Sequence, residues 1–237
     1  MTTEALHSKI NEDCTLAVTA FGDKIQIIDL VGLKAGSKVT INGNINDIAI
    51  AGTNLYTVTN RDTLTVTEGN ETKEIKLPEE ATALAVHDGV AYIGTKRGNF
   101  LVIDLATNQV KSTVTISGSK ITRICIGAIK KLVGIGSANG NLSVYSICES
   151  KMLSTDLKYH NLPITAIQFM HDDSRCVTAA HQRDLHYWDM DKLTHIDAIA
   201  SKLPFTRHRQ DRRHLAVRGW LEFRGWMSFW RHQAIRC

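Results

Sequence analysis

Three groups of residues in this chain have types that carry chemistry in other proteins. Gly134 to Gly140 reads "GIGSANG", a faint likeness to the loop that cradles a dinucleotide pyrophosphate. That chemistry needs G-x-G-x-x-G between a strand and a helix. Here the glycine spacing is wrong and a strand follows, so the stretch reads as a hairpin turn with small residues at a packing contact. His181 and His186 flank a turn, but a metal site would add a Cys or carboxylate at ligand spacing, and neither is in place. Aspartates such as Asp29, Asp104 and Asp189 fall at strand ends and read as turn formers, not as an acid/base pair. The sequence has no Walker A loop, H-E-x-x-H or G-x-S-x-G. The expectation is a protein that is not an enzyme, with no catalytic residue, cofactor-binding residue or metal ligand.

The elements that would position these residues repeat. An apolar spacing of i, i+3, i+5 occurs at Ile45/Ile48/Ile50, Ala81/Leu84/Val86, Ile121/Ile124/Ile126 and Ile164/Ile167/Phe169. After each comes a second strand, a turn and a third strand. The turns carry Asn60-Arg61-Asp62, Arg97-Gly98-Asn99, Asn139-Gly140-Asn141 and Gln182-Arg183-Asp184, residues that tolerate the positive φ of tight hairpins. Asp29, Thr67, Asp104, Ser146 and Asp189 recur at one phase, about 40 residues apart, the period of a WD-repeat propeller blade. A weaker fourth strand follows each third one. Pro78, Pro163 and Pro204 sit where it hands over to the next unit, since proline cannot donate to a ladder. The count is one partial unit and four fairly complete ones. Connections this short cannot hold the crossover helices of a parallel sheet. The expected fold is all-β: a WD-repeat β-propeller of about five four-stranded blades, incomplete, over residues 1–205, followed by a non-propeller tail over 206–237.

Composition agrees with a packed domain: 43% hydrophobic and 22% charged residues are globular values. No apolar run reaches the roughly 18 residues of a membrane helix. The N-terminal stretch lacks the apolar core of a secretory signal. Five scattered cysteines, none in C-x-x-C, read as reduced thiols of a cytoplasmic protein. Asn70-Glu71-Thr72 and Asn141-Leu142-Ser143 then read as chance glycosylation patterns.

Tyr159 to Met190, "YHNLPITAIQFMHDDSRCVTAAHQRDLHYWDM", resembles a WD repeat closely. In that family a His before the first strand, a Ser/Thr on the second, an Asp in the turn and a Trp on the third form a buried hydrogen-bonded network. His160, Thr178 and Trp188 match three of these positions. Gln182 stands at the Asp position and breaks the set, and Asp184 lies two residues further on. The role implied is structural.

"INDIAIAGTNLYTVTNRDTLTVTEG", "ATALAVHDGVAYIGTKRGNFLVIDL", "KLVGIGSANGNLSVYSI" and then the unit above resemble, in order, blades of the second propeller of the actin-interacting protein 1 family. The resemblance covers most of residues 40 to 205. It implies a cytoplasmic, cytoskeletal factor that binds filamentous actin together with cofilin-type proteins and promotes filament disassembly. It implies no small-molecule substrate, and no motif carries the family's partner contacts onto single residues. A generic WD-repeat scaffold for another complex is the alternative.

The tail differs from the rest. After Phe205 eight arginines face only Asp211 and Glu222, and there is no lysine. The chain's net +4 therefore divides into +6 for the tail and −2 for the first 205 residues, a body that does not point to nucleic acid or to a membrane. Three readings of the tail stand: a frame break or alternative end where the next blade should begin, a basic amphipathic segment, or a disordered extension.

Overall fold

The computed structural model describes residues 7–11, 13–69, 71–181 and 184–199, all within the unit Met1–Ser201. The expectations for Asn70, Gln182, Pro204 and the tail over 206–237 lie outside the described residues.

The described residues form twenty strands and no helix. The first sheet holds β1 (His7–Ile10), β2 (Leu16–Phe21), β3 (Lys24–Asp29) and β4 (Lys34–Thr40). The second holds β5 (Ile45–Ala51), β6 (Asn54–Thr59), β7 (Thr63–Glu68) and β8 (Glu71–Lys76). The third holds β9 (Ala81–His87), β10 (Val90–Thr95), β11 (Asn99–Asp104) and β12 (Gln109–Thr115). The fourth holds β13 (Ile121–Gly127), β14 (Leu132–Ser137), β15 (Asn141–Ser146) and β16 (Lys151–Lys158). The fifth holds β17 (Ile164–Phe169), β18 (Arg175–Ala180), β19 (Leu185–Asp189) and β20 (Thr194–Ile199). Each sheet is an antiparallel meander in chain order. The first strands adjoin one another in series, β1 against β5, β5 against β9, β9 against β13 and β13 against β17.

The first unit is a full four-stranded sheet, not the partial one expected. β1 and β4 are mostly exposed, so neither needs the apolar pattern that would mark it in the sequence. Backbone pairing with β2 and β3 makes them strands all the same.

Burial explains why the sheets form as a series. Between the second and third sheets lies a core with Val58 and Leu64 on one side and Leu84 and Ile93 on the other. Phe100 and Tyr145 meet between the third and fourth sheets, with ring centroids 5.3 Å apart. Leu142 and Trp188 share the core of the fourth and fifth, and Ile25 and Ile48 that of the first and second. Each sheet buries its faces against its neighbours, so the strands of the middle sheets are apolar on both sides.

The spacing i, i+3, i+5 falls on β5, β9, β13 and β17, and a β-bulge explains it. The ladder pairs Ile45 with Thr59 and Asp47 with Val58, skipping Asn46. Thr82, Thr122 and Thr165 are skipped in the same way. One extra residue after the first position shifts the side-chain alternation by one. Positions i, i+3 and i+5 thus share a face that i, i+2 and i+4 would share in a regular strand.

The turns follow their sequence chemistry. Asp29 Oδ1 accepts the N–H groups of Val31 and Gly32, Asp104 Oδ1 those of Ala106 and Thr107, and Asp189 Oδ1 those of Asp191 and Lys192. Ser146 Oγ accepts from Glu149. Thr67 breaks this series: its hydroxyl has no partner among the described residues, because Thr67 and Glu68 are still paired with Thr72 and Glu71 when the chain turns. Gly140 has φ +85°, and a Cβ there would lie 2.1 Å from the carbonyl oxygen of His160. Only glycine lets the incoming chain pass that close.

Candidate functional site

"GIGSANG" is a contact between sheets. A Cβ on Gly136 would meet Ile164 Cγ2 at 2.7 Å, and one on Gly134 would meet Ile167 at 3.2 Å. The absent side chains let β14 lie against β17. Asn141, in the second glycosylation pattern, is buried and its Nδ2 donates to Asp156 Oδ1 at 2.6 Å. Cys14, Cys125, Cys148 and Cys176 carry free thiols, and burial pushes those of Cys125 and Cys176 up.

His160, Thr178 and Trp188 come together in the fifth sheet, all of them fully buried. Trp188 Nε1 donates to Thr178 Oγ1 at 2.8 Å, and Thr178 Oγ1 lies 2.8 Å from His160 Nε2. Burial, and after it the neighbouring His186, pull His160 down to about 4, while the charge of Asp184 opposes them. The ring is therefore neutral at pH 7, and the Thr178 hydroxyl, which accepts the indole N–H, links it to Trp188. The trio's chemistry is polar satisfaction inside a core.

Two more histidines join it. His186 stands edge-on to His160 at 4.2 Å between ring centroids, its Nδ1 is 2.9 Å from His195 Nε2, and Tyr159 stacks on His195 at 4.0 Å. Among the described residues no hydrogen bond joins His181 to His186; His181 N donates to Pro163 O at 3.3 Å. Among the described residues no group of three His, Cys, Asp or Glu could hold a metal ion.

The second feature is missing from a motif-based reading. The bulged residues form a relay at the inner edge. Asn46 Nδ2 donates to the Ala81 carbonyl at 2.7 Å. The Thr82 hydroxyl donates to Ile121 O, and the Thr122 hydroxyl to Ile164 O, both at 2.6 Å. Each bond runs from one sheet to the first residue of the next sheet's first strand. Thr165 donates to Ala179 O of its own sheet, at 3.3 Å, its one side-chain hydrogen bond among the described residues. One residue beyond the bulge, Asp47 Oδ2 accepts the Leu84 N–H at 3.0 Å, and Arg123 Nε donates to Thr165 O at 2.9 Å. At the outer turns, Asp173 Oδ2 accepts the N–H groups of Ile129 and Lys130. The signal for the relay was a polar residue directly after the first apolar residue of each first strand.

The relay residues line an open cavity of about 330 Å³ where the first strands begin. His7, Lys120, Arg123 and His181 also line it, and among the described residues no carboxylate does.

No protein-family model and no curated protein matches the chain. Solved structures do, with 1615 matching chains, so the architecture is too widely used to assign a function. One of them is the crystal structure of the computationally designed Ika8 protein. It aligns with a TM-score of 0.67 over 82% of this chain at 18% sequence identity. The alignment covers 61% of the Ika8 chain, so the present chain spans about three fifths of that structure's length. At this identity the likeness concerns the all-β fold alone. No helix among the described residues is long and apolar enough to cross a membrane.

Proposed function

We propose that the five sheets are blades of an incomplete WD-repeat β-propeller related to the actin-interacting protein 1 family. On this reading the chain binds filamentous actin with cofilin-type proteins in the cytoplasm and promotes filament disassembly, by binding and not by catalysis. The observation that carries the proposal is the ordered resemblance of residues 40 to 205 to that family's second propeller. Sheets of one construction, placed in the same order, support it, as does the Trp188–Thr178–His160 hydrogen-bonded trio in the unit most like a WD repeat. Buried polar networks of this kind hold a repeat in register and leave its rim loops for partners.

Co-sedimentation of the full chain with actin filaments, with and without cofilin, tests the reading. Cofilin-dependent binding and faster filament loss are expected. Binding unaffected by cofilin, or none at all, favours a scaffold for another complex.

A further inference from the structure

The geometry points to a binding site for a compact oxyanion, a phosphate- or carboxylate-bearing group, in the cavity at the start of the first strands. Four residues with basic side chains line it, from three sheets and the connections between them: His7, Lys120, Arg123 and His181. Arg123 is half-buried, and carbonyls hold it in place of a carboxylate. Its Nε donates to Thr165 O and its Nη1 to Thr122 O at 2.8 Å. These bonds fix the plane of the guanidinium without neutralising it, and among the described residues no hydrogen bond engages its second terminal nitrogen, which is left to donate to an oxyanion. Among the described residues neither Lys120 nor Arg123 has an ion-pair partner. Asp47, which lies 3.5 Å from His7, is turned to the N–H groups of Ile48 and Leu84.

Size and charge narrow the ligand. A volume of about 330 Å³ is at the small end of ligand sites, which run from roughly 300 to 1,000 Å³. It suits one multiply charged group and not a whole dinucleotide. The threonine hydroxyls already donate to carbonyls, so the guanidinium and the ammonium provide the recognition. A concave wall carrying one sign of charge raises the local concentration of the opposite sign.

The test is calorimetric titration of the full 237-residue chain with inorganic pyrophosphate and, in a separate arm, with citrate. Saturable one-to-one binding of at least one probe is expected, and the stronger probe identifies phosphate or carboxylate as the preferred group. Lys120→Gln and Arg123→Gln should each weaken it by about tenfold or more, the scale of one charged hydrogen bond. Lys73→Gln, on the exposed outer strand β8, should leave it unchanged. Lys120 is exposed, so its variant reads out binding even if the Arg123 variant fails to fold. Absence of saturable binding by both probes, or equal weakening by Lys73→Gln and Lys120→Gln, overturns the proposal.

Discussion

The Thr82 hydroxyl and the Ile121 carbonyl oxygen lie 2.6 Å apart across the joint between the third and fourth sheets. The same hydroxyl stands 3.2 Å from Gly94 O of its own sheet. Thr122 repeats both relationships one sheet later, with Ile164 O and Gly136 O. A bulge makes this possible, because it turns one polar side chain of a first strand along the series of sheets and away from their apolar faces.

Thr82→Val and Thr122→Val keep the shape and delete the donor. Each leaves a buried carbonyl without its bond across the joint. A loss of about 1–3 kcal/mol is expected, read as a lower urea midpoint with an unchanged slope. Thr165→Val removes a hydroxyl whose bond among the described residues stays within its own sheet, and should cost less than either.

The buried trio makes stability fall in acid. His160 titrates near 4 in the fold, below its ordinary 6.5, so the unfolded chain binds the proton more readily. The contribution is complete above pH 6.5 and is lost as pH falls through 4. Thermal melts from pH 7.5 to 4 should show a steady drop in Tm. His160→Gln should lower Tm at pH 7.5 and flatten that slope. An unchanged slope in the variant would assign the acid sensitivity to other groups.

Gly140→Ala and Gly22→Ala separate close approach from backbone conformation. Both glycines have positive φ, but a Cβ on Gly22 meets nothing within 4 Å whereas one on Gly140 lies 2.1 Å from His160 O. The Gly22 change should cost about 1 kcal/mol, the penalty of a left-handed alanine. The Gly140 change should cost clearly more, because the chain entering the fifth sheet must move. Equal melting temperatures for the two variants would contradict this.

Asp173→Ala removes the acceptor of two N–H groups in the β13–β14 turn. A cost of about 1–3 kcal/mol is expected. Asp173→Asn keeps one acceptor oxygen and should recover part of it. Hydrogen exchange at Ile129 and Lys130 checks the assignment directly, since both amides should lose protection in the alanine variant.

The sheet count and strand order were legible because inner strands carry a fixed apolar code and turns carry Asp, Asn and Gly. The bulge was legible too, in the gap between Ile45 and Ile48, once that gap is read as an extra residue. β1 and β4 were not, since exposed strands are held by backbone pairing that side chains do not record. The trio of His160, Thr178 and Trp188 could be named because Tyr159 to Met190 resembles a WD repeat, and three positions of that family's network are matched. Asn46, Thr82 and Thr122 are marked by position alone, one residue after the first apolar residue of each first strand, and not by their types, which are those of ordinary surface amides and hydroxyls. The cavity was hidden for a different reason: His7, Lys120, Arg123 and His181 are far apart in the chain and meet only when first strands are set side by side.

The relay has a direction. Every donor lies on the earlier sheet and every acceptor on the later one, Asn46 to Ala81, Thr82 to Ile121, Thr122 to Ile164. A ribosome delivers the chain in that same order, at roughly 5–20 residues per second. Each emerging sheet thus brings the acceptor its predecessor has been waiting for, and arrival of about 40 new residues is what locks the preceding 40. Assembly during synthesis becomes a series of latches closed from behind, each completed some seconds after the one before.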